Sequence, residues 1–164
     1  MRDRSPDPAQ IIRRHAAFIA GDVVIALASR DRELRSQVAM GRGCRTSLAR
    51  RQVHVLIGRA QSTPFLAALE QSREIAVVFG RPVDHRAIQL KGRDATVAAP
   101  ARGDAALAAR YRELLADHFV PLGFPREHTY TYLGPADEAL VVVSFTPTSA
   151  YDQTPGPHAG AALA

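Results

Sequence analysis

A chain of 164 residues, 46% of them hydrophobic, is long enough for one domain with its own core, and the absence of Trp leaves that core to Val, Leu, Ile and Ala. Its single cysteine, Cys44, excludes an internal disulfide and any multi-cysteine metal site, and reads as a small buried hydrophobe. The formal charge of +5 comes from scattered arginines without a basic stripe or interleaved aromatics, which argues against a nucleic-acid groove. No apolar run approaches the ~18 residues of a membrane span and no leader-like segment opens the chain, so a cytoplasmic protein without membrane insertion is expected.

Residues 1–8 are polar and proline-broken and predict a frayed start. "AQIIRRHAAFIAG" then places Ile11, Ile12, His15, Ala16 and Ile19 at helical spacing, with Gly21 as the stop. "DVVIALAS" (22–29) and "RSQVAMGRGC" (35–44) predict a hairpin, and the two glycines of its second strand mark a bulge. "QVHVLIG" (52–58) is a third strand. "RAQSTPFLAALEQ" supplies Ser62 or Thr63 as a cap and Pro64 at the first helical position, so a helix begins there. "REIAVVFG" (73–80) and "RAIQLKGRDATVA" (86–98) read as two more strands, the latter long. Residues 103–119 predict an amphipathic helix with Leu107, Tyr111, Leu114 and Leu115 inward. Residues 120–139 read as a Pro/Gly-punctuated loop, "LVVVSFTP" (140–147) as a sixth strand, and residues 148–164 as a turn-rich tail. Tight turns between most strands favour an antiparallel meander closing into a barrel, within a single domain over 1–164.

Phosphate-loop, nucleophile-elbow and metalloprotease motifs are all missing, and no two of the six histidines stand at i,i+4 on one predicted helix. Two places remain as candidate sites. The step "GRAQST" offers a helix start with Ser62, Thr63 and Arg59, which is either an ordinary cap or a phosphate seat. "DHRAIQLKG" contains Lys91, the only lysine, and strand alternation puts His85, Ala87, Gln89 and Lys91 on one face. Such a face is either solvated or one wall of a pocket for a heterocycle with carbonyl and imide edges.

"VVIALASRDRELRSQVAMGRGCR", "VHVLIGRAQSTPFLAALEQSREIAVVFGRP", "HRAIQLKGRDATV" and "DQTPGPHAG" together resemble the pyridoxamine 5'-phosphate oxidase-like FMN-binding split-barrel family over roughly residues 15–160. The resemblance implies a mainly β fold, a six-stranded antiparallel split β-barrel with helices. It also implies a homodimer with flavin sites in the subunit interface. By position, Gln37, Val38 and Met40 on the second strand and Ile57 on the third would flank the ring or ribityl chain. Arg59, Ser62 and Thr63 would meet the phosphate, and His85, Arg86, Gln89 and Lys91 would complete the pocket. Thr63 and Pro64 stand where true pyridoxamine phosphate oxidases carry an Arg-Lys pair, and the Arg- and Trp-rich C-terminal segment of those enzymes has no counterpart. The implied function is thus an FMN-dependent oxidoreductase acting on another small-molecule substrate. The alternative is a flavin-, F420- or haem-binding module without turnover.

Overall fold

The computed structural model describes residues 7–163. Residues 1–6 of the expected frayed start lie outside this range, but Pro8 does not belong to it: Pro8 opens the first helix, α1 (Pro8–Ile19). Asp7 caps that helix by accepting from Ala9 N at 3.1 Å, and a proline in the first turn loses no hydrogen bond. Ile11, Ile12, His15 and Ile19 are buried as their spacing predicts.

Among the described residues eight strands follow: β1 (Val24–Arg30), β2 (Ser36–Ser47), β3 (Gln52–Gly58), β4 (Ile75–Gly80), β5 (Ala87–Gly92), β6 (Thr96–Ala98), β7 (Leu140–Phe145) and β8 (Ser149–Asp152). All pairings are antiparallel, in the order β6-β7-β3-β2-β1-β4-β5-β8. Between Gly41 and Cys44 the β2–β3 register slips by one residue, the bulge that the glycines predict, and Gly43 there holds a φ of 136°.

Two short connections force the sheet to curl. β5 and β6 lie near opposite ends of the order yet are joined by residues 93–95, and β7 passes to β8 through residues 146–148. Hydrogen bonds from Thr146 N to Asp94 Oδ1 (2.9 Å) and Thr148 N to Lys91 O (2.8 Å) fasten the crossings together. The result is a barrel whose ends meet through chain crossings rather than a ladder. Inside lie Ile25, Leu27, Val53, Val55, Ile57, Val77, Phe79, Leu90, Val141, Val143 and Phe145. Helix α2 (Thr63–Ser72) adds Phe65 and Leu69 to this core, and Cys44 joins it too; burial pushes its thiol up to about 12, consistent with an inert side chain.

The departures from expectation have local causes. The long strand over 86–98 is two strands, because a Cβ at Gly92 would stand 2.7 Å from Phe145 Cδ2 and the chain turns there to cross the gap. The tail supplies β8, which pairs with β5; with the split strand this makes eight strands rather than six. The expected loop over 120–139 contains α4 (Arg126–Leu133). Tyr and Thr are poor helix formers, so its stability is tertiary. Arg112 of α3 (Asp104–Phe119) donates to Gly134 O (2.7 Å) and Tyr130 O (3.3 Å), satisfying carbonyls at the end of α4. Arg126 pairs with Glu113 and Asp117. Within α3, Tyr111 and Leu115 are buried, whereas Leu107 and Leu114 are only partly covered.

Two buried histidines set a pH dependence. Burial, then nearby Arg14 and Arg86, lower the pKa of His15, and burial with Arg45 and Arg50 lowers that of His54, whose Nδ1 lies 2.7 Å from Ser144 Oγ. Below pH 6.5 the unfolded chain takes up protons that the folded chain resists. Stability is therefore full above 6.5, falls as the pH drops toward the two folded values, and levels off beneath them. Melting curves from pH 8 to 5 are expected to show this fall, and His15→Leu should remove part of it; an unchanged pH profile in that variant would contradict the assignment.

Candidate functional site

Strand register assembles the candidate site. Opposite residues of an antiparallel pair share a face. Val38, Ala28, Ala76, Lys91 and Ser149 therefore form one row across β2, β1, β4, β5 and β8. Met40, Ala26, Val78, Gln89 and Tyr151 form the next. Both rows lie on the outer face of the barrel, since the alternate residues Ile25, Leu27, Val77, Ile88 and Leu90 point into the core. The three strand spacings from Val38 to Lys91 span about 14 Å.

The chemistry of this face is uneven. Ala26, Ala28, Ala76 and Val78 make a low, flat, half-buried floor, while Val38, at the β2 side, is 62% exposed. Polar groups gather at the β5–β8 side. The Lys91 ammonium sits 4.9 Å from the centroid of the Tyr151 ring, and Gln89 stands directly across from Tyr151. Among the described residues no carboxylate pairs with Lys91. A groove of about 830 Å3 continues from the first row, lined by Arg30, Ser36, Glu74, Lys91, Arg93 and Ser149 among others. Glu74 neutralises Arg30 at 2.8 Å.

Of the residues expected from sequence, the fold brings Val38, Met40, Gln89 and Lys91 together on this face. Gln37 alternates with them and is paired with the buried Ser29. Ile57 is fully buried in the core. His85, with a φ of 58°, and Arg86 lie in the β4–β5 turn beyond the rows, where the Arg86 guanidinium stacks 4.7 Å from the Phe18 ring centroid. Arg59 and Thr63 line a separate groove of about 760 Å3 between α2 and β6. Sequence reasoning missed Ala28, Ala76, Arg93 and Tyr151. Alternation in "VIALAS" and "IAVVFG" marks the alanines as outward, but only the register shows that they abut.

The start of α2 is built differently from a simple cap. A 3-10 turn (Ala60–Ser62) precedes the helix, Ser62 makes no capping hydrogen bond, and Thr63 Oγ1 donates back to Ala60 O at 3.0 Å. The N–H of Gln61 donates to Glu138 Oε1 at 3.1 Å. Glu138 is also paired with Arg42, both side chains being only 7% exposed. Arg42 further donates to Pro135 O and to Gln61 Oε1, each at 3.0 Å. Glycines at 58 and 134 leave room for this cluster as it stands: a Cβ at 58 would stand 2.6 Å from Arg42 Nη2, and one at 134 would displace the Gln61 side chain.

No protein-family model matches the sequence, and no curated protein matches it. Solved structures do. HupZ of Group A Streptococcus superposes with a TM-score of 0.52 at 13% identity, covering 90% of this chain and 98% of that one. An F420 reductase superposes with a TM-score of 0.50 at 11% identity, covering 82% and 93%. A pyridoxamine 5'-phosphate oxidase-related, FMN-binding protein from Nostoc punctiforme gives 0.45 at 14%, covering 92% and 83%. The chain shares the fold of HupZ and the F420 reductase, an antiparallel split barrel, which is the fold the sequence resemblance implies. Among the described residues, no helix is long and apolar enough to cross a membrane.

Proposed function

We propose that this split-barrel chain binds a flavin-type cofactor, FMN in the first instance, on the outer face of β2-β1-β4-β5, as the holder of an oxidoreductase centre for a small-molecule substrate. The observation that carries the reading is the alanine floor ending at Gln89, Lys91 and Tyr151. A fused planar ring needs a flat apolar support and, at one edge, groups that donate to carbonyl and imide positions; an amide and an ammonium do so. Such a cofactor supplies hydride or electron transfer itself, which leaves the protein to position and polarise it, and this suits a face without an acid, base or nucleophile set.

Val38 and Met40 would border the ring, and Gln89 and Lys91 would address its polar edge. Val38 and the alanine floor cover only one side of a ring, so a second copy of the chain closing over the other side fits the expected homodimer. Haem and F420 are the alternatives. Haem suits the face less well, because the two rows carry no imidazole. Titration with FMN, F420 and haemin, followed by absorption and tyrosine fluorescence, tests the reading; saturable binding of FMN is expected, and a Soret band with no flavin binding would redirect it to haem. Reoxidisable reduction by NAD(P)H then separates an enzyme from a binder.

A cation at the polar edge favours the reduced, more negative ring. Lys91→Met is expected to lower the midpoint potential of bound flavin by about 30 mV or more, the two-electron equivalent of about 1.4 kcal/mol. An unchanged potential would remove Lys91 from that edge.

A further inference from the structure

We propose that Arg93, with the Ser36 and Ser149 hydroxyls, receives the cofactor's phosphate in the groove beside the alanine floor, while Lys91 stays at the ring edge, and that the start of α2 does not take the anion. The inference rests on the flavin reading above and adds where the anion goes. At the helix start an anion is already built in. Glu138 accepts the Gln61 N–H at 3.1 Å and pairs with the buried Arg42 guanidinium, which is held in turn by Gln61 and Pro135. Ser62 is 2% exposed, and the Thr63 hydroxyl is turned onto Ala60 O at 3.0 Å. A phosphate arriving there would meet a carboxylate on its own partners, with like charges brought together away from water.

The groove offers the opposite situation. Lys91 and Arg93 both line it, and neither has a carboxylate partner among the described residues, whereas Arg30 is neutralised by Glu74. Ser36 and Ser149 add hydroxyls to its lining. An arginine fork is suited to bidentate contact with a phosphate monoester, and the neighbouring Lys91 charge adds to the positive field of the groove. Continuity matters as much as charge. Ala28, Ala76 and Lys91 belong both to the groove and to the floor, so a ring on the floor places its tail in the groove. Arg59 and Thr63 line a different groove, against β6.

The test compares FMN with riboflavin, which lacks the phosphate, by flavin fluorescence quenching on the full chain at fixed salt. The wild type is expected to prefer FMN by about 100-fold, and Arg93→Gln to lose about 10-fold or more of FMN affinity with riboflavin unchanged. Arg59→Gln should leave both affinities as they were. A preference abolished by Arg59→Gln and retained in Arg93→Gln overturns the inference, as does equal wild-type affinity for the two flavins. Failure of both flavins to bind at all overturns the cofactor reading itself, and the inference with it. Both arginines are exposed, so melting temperatures close to wild type are expected throughout.

Discussion

Arg42→Met is expected to destabilise the fold by about 3–5 kcal/mol, because it leaves the Glu138 carboxylate buried without its guanidinium. Both side chains are 7% exposed, so water does not screen the loss. More than one bond goes: Arg42 also holds Pro135 O and the Gln61 side chain, and thereby ties the 134–139 segment to the start of α2. The double variant Arg42→Met/Glu138→Leu should recover a large part of the stability, since replacing a buried pair by apolar groups removes two desolvated charges at once. Chemical denaturation of the wild type, the two single variants and the double variant gives the coupling directly. A single-variant loss near the ~0–1 kcal/mol typical of exposed pairs would mean that the site is wetter than its burial indicates. Glu138→Gln is the gentler probe. It keeps the shape and an acceptor for Gln61 N while removing the charge, so its cost isolates the ion-pair part.

How far the sequence foretells this molecule depends on whether the decisive interactions are local. Alternation in "VIALAS" and "IAVVFG", the paired glycines of β2 and the spacing of Ile11, Ile12, His15 and Ile19 are local signals, and each reports the element that forms. α4 and β8 are not local. The former leans on Arg112 and on the Arg126–Glu113 and Arg126–Asp117 pairs, and the latter on the open edge of β5. Neither segment carries a strong period of its own. At the site, alternation alone places Gln89 and Lys91 on one face, and the register then adds Val38, Met40 and the alanines. The helix start illustrates the opposite limit. "GRAQST" leaves an anion seat open beside an ordinary cap because Glu138 lies 77 residues beyond Gln61, in a segment with no periodic signal. Long-range pairing filled a place that local chemistry leaves open.

Ala76→Leu puts the cofactor reading at greatest risk. Ala76 stands mid-floor, with Ala28 on one side and Lys91 on the other, and its side chain points out of the barrel. A leucine there clashes with no core residue, and a β-branched or larger apolar residue is no burden to a strand. Stability should stay within about 0.5 kcal/mol of wild type. A ring lying on the floor, however, would be lifted away from Gln89 and Lys91 by the added branched carbons. The expected loss is about 100-fold or more in affinity for FMN and riboflavin alike, equivalent to about 2.7 kcal/mol. Equal losses for both flavins are the informative part, because they separate an obstructed ring from a lost phosphate contact, which affects FMN alone. Unchanged binding in a folded Ala76→Leu protein would place any flavin elsewhere on the barrel. Val38→Glu provides the complementary case: it adds a charge at the exposed β2 border, where a second subunit would have to pack. If the ring is enclosed between two copies, sedimentation should show that this variant is monomeric and has weakened affinity for both flavins. A monomeric variant with full affinity would mean that one chain suffices to hold the cofactor.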